Sequence, residues 1–176
     1  MDFIDISLFL SYNIYRQQCM LHRKSITVRR GTMIEQLYVD LNLRPDLEII
    51  ANDGDFDWVI VSQTLQEMRR PDVILQRIVR VGKRAAVSFI NFGHIACRLQ
   101  LLATGRMPRN KHMPYEWFDT PNIHFGTLRD FRYLCKDLGI SIVQATPVGQ
   151  HFPLLTNLLP NLFAVGCVFV IEKKAE

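Results

Sequence analysis

The segment HMPYEWFDTPNIHF, His112–Phe125, gathers more groups able to do chemistry than any other stretch of the chain. Tyr115 and Trp117 offer rigid amphipathic faces. Asp119, Asn122 and His124 offer a carboxylate, a carboxamide and an imidazole that could converge on a ligand or a partner. Pro114 and Pro121 stiffen the segment. The competing reading is a self-packed surface loop whose aromatics plug the edge of a sheet. Spacing alone does not bring Asp119 and His124 into a nucleophile–base relationship, so no catalytic residue is identified.

Two shorter polar clusters each follow an apolar run. Ser62, Gln63 and Thr64 come directly after Trp58-Val59-Ile60-Val61, where they either line a crevice at a strand end or cap a helix. Asn91 and His94 follow Ala85–Ile90, a position suited to contact with substrate. A hydrogen-bonded structural histidine is the alternative for His94. Asp57 reads as a structural carboxylate at the start of a strand, satisfied by backbone.

The hydrophobic pattern supplies the elements that must position these groups. Met33–Leu41 alternates as a short strand ending at Asp40, and Arg44–Ala51 has room for a turn or two of helix. Trp58–Val61 and Ala85–Ile90 are continuous apolar runs, as expected of parallel strands covered on both faces. Between them Pro71 suits a first helical turn. Val73, Ile74, Ile78 and Val81 share one helical face, and Gly82 is expected to stop the helix as a left-handed cap. Ile95–Thr104 reads as a helix ending at Gly105, and Arg106–Gly126 as a long ordered connection. Thr127 and Asp130 have capping-box spacing at the head of a helix whose stripe is Leu128, Phe131, Leu134, Cys135 and Leu138. Ile140–Thr146 and Val165–Ile171 could pair as antiparallel strands. The order argues for an α/β sheet with a mixed edge.

Composition narrows the function classes. The chain has 176 residues, 48% of them hydrophobic, enough for one domain with a substantial core. A formal charge of +4 comes from scattered basic pairs such as Arg69/Arg70 and Lys83/Arg84, which read as solvated surface and not as a nucleic-acid face. Cys19, Cys97, Cys135 and Cys167 show no CxxC spacing and read as small core residues in a reducing compartment. The five histidines have no metal-ligand spacing, so no metal is expected. Met1–Tyr12 carries Asp2 and Asp5 and is a poor signal peptide. Leu154–Ile171 is interrupted by Asn157, Pro160 and Asn161, which favours a loop followed by a strand over a membrane span. The expectation is a cytoplasmic protein without membrane or nucleic-acid partners.

Five motifs in order carry a family resemblance: FDWVIVSQTLQ (Phe56–Gln66), RRPD (Arg69–Asp72), RVGKRAAVSFINFGH (Arg80–His94), GRMP (Gly105–Pro108) and PYEWFDTPNIHF (Pro114–Phe125). Together they resemble the MetW family of methionine biosynthesis, similar in fold to class I S-adenosylmethionine-dependent methyltransferases. The match runs from about Val28 to near Phe163. The resemblance implies an α/β, Rossmann-like sheet, parallel with an antiparallel edge. It also implies that VRRGTMIEQLYVDLN (Val28–Asn42) is the end of the fold's second helix and its third strand. Asp40 and Leu41 then fall where methyltransferases contact the adenine edge, and Ser62, Gln63 and Thr64 at the mouth of the cofactor crevice.

Upstream of Val28 the pattern departs from the family. A first strand, a glycine-rich turn of the kind VLDLGCGxG and a second strand ending in an acid should precede it. Met1–Lys24 contains no glycine. The expected organisation is an atypical segment over 1–27 and a partial methyltransferase-like domain over 28–176. The first strand of the related fold is central, so its loss would leave the edge of Trp58–Val61 uncovered; Met1–Tyr12 is one candidate substitute. S-adenosylmethionine is the cofactor implied by resemblance, and the expectation is that this chain does not bind it. Three function readings follow: an accessory factor for homoserine O-acyltransferase, a small-molecule methyltransferase, and an inactive remnant of a truncated or frame-altered gene.

Overall fold

The computed structural model describes residues 26–30, 33–37, 52–149 and 153–174. Six strands form one mixed sheet in the order β2-β1-β3-β4-β6-β5: β1 Ile26–Arg30, β2 Met33–Leu37, β3 Phe56–Ser62, β4 Gly82–Ile90, β5 Ile140–Val148 and β6 Gly166–Lys173. Five α-helices follow in chain order among the described residues: α1 Pro71–Val81, α2 Ile95–Thr104, α3 Leu128–Asp137, α4 Pro153–Leu158 and α5 Pro160–Phe163, with a 3-10 turn at Leu65–Glu67 after β3. The sheet has more antiparallel pairing than an edge alone. Among the described strands only β3 and β4, joined through α1, pair in parallel, and every other neighbouring pair is antiparallel.

The β-branched runs of β3 and β4 sit centrally because both of their faces are covered. Val59, Val61, Ala85, Val87 and Phe89 meet α1 and α3 on one face, where Phe89, Phe131 and Phe169 form an aromatic group with ring centroids 4.5–5.8 Å apart. Ile60, Ala86 and Val168 point to the opposite face with Val148. This two-sided burial is why both runs lack polar alternation. Proline opens α1, as its missing N–H allows. Its buried stripe is Ile74, Leu75, Ile78, Val79 and Val81, with Val73 only half-buried. Thr127 and Asp130 close a reciprocal capping box on α3.

Several expectations need correction. Val28 lies in a strand and not at the end of a helix: β1 and β2 form an antiparallel hairpin, with Val28 opposite Glu35. The edge of β3 is covered by β1, which pairs Ile26 with Val61 and Arg29 with Trp58, so the substitute strand comes from Ile26–Arg30. Met1–Tyr12 lies outside the described residues, as does the helix expected over Arg44–Ala51. Gly82 is no left-handed cap. Its φ is −109°, the chain passes straight into β4, and a Cβ there would stand 2.6 Å from Val59 Cγ2. Close packing, not backbone conformation, requires glycine at this position. Gly105 and Gly139 do end their helices with positive φ. The stretch before β6 contains two short helices in place of a loop, and no described helix is long and apolar enough to cross a membrane.

Candidate functional site

At the carboxyl ends of the parallel pair, the chain leaves β3 through Gln63, whose φ of +53° places a non-glycine residue in the left-handed region. Its backbone N–H donates to Ser88 O at 2.9 Å and extends the β3–β4 ladder by one bond. The Thr64 hydroxyl turns back to donate to Ser62 O at 2.8 Å and makes no helix-capping bond. Gln63 Nε2 and Ser88 Oγ are buried without a hydrogen-bond partner. Two orphaned polar groups at the end of a parallel strand pair mark the place where an open α/β sheet holds ligands.

The next turn is organised by Gln66, a residue that spacing does not single out. Its side chain is buried and lies alongside Ile90: Nε2 donates to Ile90 O at 3.0 Å, and Ile90 N donates to Oε1 at 3.1 Å. The backbone carbonyl of Gln66 accepts from both Ile123 N and His124 N at 3.0 Å. One glutamine therefore ties β3, β4 and the distant aromatic loop together.

Asn91 is committed to scaffold. Its Nδ2 donates to Ala164 O at 2.8 Å and to Asn161 O at 3.2 Å, and its Oδ1 accepts from Gly93 N at 2.9 Å. His94 is the N-cap of α2, where Nδ1 accepts from Ala96 N at 3.1 Å. That bond requires the neutral imidazole with its proton on Nε2. Burial likewise lowers the pKa of His94 below the ordinary histidine value. Both residues border a cavity of about 250 Å³, whose lining includes Cys97, Asn110, His112, Met113 and Phe163. His112 and Met113 open the segment the sequence singled out, but nothing in spacing joins them to Cys97, Asn110 and Phe163, which converge from α2, the long connection and α5.

The aromatic loop splits into a held side and a displayed side. Asn122 is buried, and Phe125 packs on Phe92 with centroids 5.0 Å apart. Arg109 pairs with Glu116 across the loop. Tyr115, Trp117 and Asn122 border one shallow cleft with Met107 and Phe125. Asp119 and His124 are exposed and do not border it. Trp117 is 71% exposed and Phe118 is 70% exposed, their rings meeting edge-on at 5.8 Å. Neither plugs the sheet edge. Helix α2 adds exposed Leu99, Leu101 and Leu102.

Asp57 pairs with Lys83 Nζ on the neighbouring strand at 2.8 Å, a structural role with a lysine partner. Cys97, Cys135 and Cys167 are buried free thiols. Burial pushes Cys135 and Cys167 up to about 12 and raises Cys97, so none is an activated nucleophile. Cys19 lies outside the described residues, and among those described no group of three candidate ligands could hold a metal. Asp40 and Leu41 also lie outside them. Among the described residues the crevice has no strand-to-helix glycine turn. Because β1 runs antiparallel to β3, the crevice end of the sheet receives the start of β1 in place of a strand-to-helix glycine turn, so β1 delivers no backbone cradle to the cofactor there.

A family model described as methionine biosynthesis protein MetW matches residues 18–171. The bifunctional methionine biosynthesis protein MetXA/MetW of Rhodopirellula baltica is 33% identical over 139 residues, covering 77% of this chain and 22% of the relative. The chain thus spans under a quarter of that relative's length. Among solved structures, an S-adenosylmethionine dependent methyltransferase from Mesorhizobium loti is 12% identical with a TM-score of 0.47, covering 70% of this chain and 64% of that one. The complex of the Haloferax volcanii Trm112 methyltransferase activator with a putative methyltransferase gives 11% identity and a TM-score of 0.47, covering 80% of this chain and 61% of that one.

Proposed function

The chain belongs to the MetW family of methionine biosynthesis proteins, and from that membership we propose that it acts as an accessory partner of homoserine O-acyltransferase. The observation that carries the reading is the exposure of Trp117 and Phe118 on a loop whose other side is pinned by Gln66 and Phe92. A rigid loop that holds large aromatics in solvent pays the cost of exposing apolar area without relieving it internally. Such anchors are typical of the centre of a protein interface. The curated relative joins MetXA and MetW in one chain, which supports a partnership between the two modules. The test is co-purification of this chain with a homoserine O-acyltransferase, with Trp117→Ala as the matched variant. Retained association in the variant, or none in the parent chain, counts against the reading.

A second reading, a methyltransferase acting on a small molecule, has one observation in its favour: the unpartnered Gln63 Nε2 and Ser88 Oγ at the carboxyl ends of β3 and β4. It requires S-adenosylmethionine to bind. Calorimetric titration of the whole chain is expected to give no saturable heat, and a dissociation constant in the low micromolar range would restore this reading.

A further inference from the structure

The cavity at the head of α2 adjoins the carboxyl end of β4 and shares Met113 with the cleft under the aromatic loop, but its lining has a chemistry of its own. Ile90, Ile95, Cys97, Met113, Phe163 and Val165 make most of its wall apolar. None of its lining residues is Asp, Glu, Lys or Arg. At about 30 Å³ per water, its roughly 250 Å³ corresponds to about eight waters, the size of a small organic molecule.

Its polar lining is mostly spent. Asn91 has all its carboxamide bonds within the scaffold. Asn110 Oδ1 accepts from His112 N and Met113 N, and its Nδ2 faces Cys97 Sγ at 3.6 Å. His94 Nδ1 is held by Ala96 N, which leaves the Nε2–H as a donor without a partner among the described residues. An apolar wall with the His94 Nε2–H facing it selects a molecule with an apolar body and a hydrogen-bond acceptor. With no lining carboxylate, an ammonium group would be desolvated without compensation, whereas a carboxylate, which meets no lining Lys or Arg, has the His94 Nε2–H and the positive end of α2 to offset its cost.

We propose that this cavity is a binding site for a short-chain acyl compound, its carbonyl or carboxylate oxygen accepting from His94 Nε2–H and its apolar chain packed against Ile90, Met113 and Phe163. The site excludes amino acids of the same chain length. A carboxylate gains further from the positive end of α2, while an ester relies on the single hydrogen bond. The proposal does not rest on the docking reading and survives its failure.

The experiment is methyl NMR on the full chain, following the Ile90, Ile95 and Met113 methyl groups during titration with isovalerate, its methyl ester and leucine. Saturable shifts centred on these methyls with the acid or the ester, and none with leucine, are expected; the responding arm tells carboxylate from ester recognition. His94→Asn keeps a good N-cap but removes the imidazole donor, and should weaken binding by about fivefold with unchanged spectra elsewhere. The proposal is overturned if neither acyl probe binds at tens of millimolar, if leucine binds equally well, if the shifts centre on other residues, or if His94→Asn binds like the parent.

Discussion

The carboxamide of Gln66 and the backbone of Ile90 form a closed pair of hydrogen bonds, 3.0 Å in one direction and 3.1 Å in the other. The side chain does for the end of β4 what a neighbouring strand would do, while its own carbonyl holds Ile123 and His124. The aromatic loop is thereby fastened to the carboxyl ends of the sheet by a residue that is not in the loop.

Gln66→Leu should be costly because it keeps the volume and removes both bonds. Leaving buried backbone groups unpaired costs about 1–3 kcal/mol each, so a loss of roughly 2–6 kcal/mol is expected in urea unfolding. Hydrogen exchange at Ile90 should accelerate first. Unchanged stability would mean that water replaces the carboxamide.

Trp117→Ala should separate association from folding. Trp117 is largely exposed and its ring meets Phe118 edge-on, so the variant's stability should lie within about 0.5 kcal/mol of the parent by thermal denaturation. Truncating an interface anchor costs on the order of 2 kcal/mol or more, about thirtyfold or greater in affinity for the acyltransferase. Surface plasmon resonance with matched circular dichroism reads both quantities.

His94 should make stability depend on pH. Burial holds its folded pKa below the ordinary value of 6.5, so between the two values the unfolded chain binds more protons and stability rises with pH. The contribution is complete above about pH 6.5 and is lost as pH falls through the folded value, when protonation of Nδ1 breaks the cap on α2. Melting temperatures measured from pH 7.5 down to pH 5 should fall less steeply for His94→Asn, which caps without titrating. Parallel slopes would assign the pH dependence to other groups.

Gly82→Ala should destabilise through packing. The added methyl would stand 2.6 Å from Val59 Cγ2, and overpacking of this kind costs about 1–3 kcal/mol. Gly105→Ala, at a φ of +64° with nothing within 4 Å, should cost about 1 kcal/mol through backbone strain alone. Chemical denaturation of the pair distinguishes the two causes, and a neutral Gly82→Ala would show that Val59 can move aside.

Local signals made much of the frame legible. Continuous apolar runs announced β3 and β4, Pro71 opened α1, Thr127 and Asp130 capped α3, and the final two strands paired antiparallel as their pattern suggested. Each depends on interactions within a few residues or on burial of both faces, which leave a mark on composition. The aromatic loop was equally visible as a cluster, although its polar residues did not converge: Asn122 went inward while Asp119 and His124 stayed in solvent.

What the chain alone determined, then, is its family, through five ordered motifs, and where β3, β4, α1 and α3 lie. Tertiary structure decided the partners. Gln66 reaches Ile90 across 24 residues, Asn91 reaches Ala164 across 73, and β1 covers β3 in the antiparallel sense where the family pattern implied a parallel neighbour. Hydrophobic periodicity records which face a residue buries. Strand direction and the partner of a buried carboxamide depend instead on which distant backbone groups remain unpaired once the sheet has closed, and only the assembled fold supplies that information.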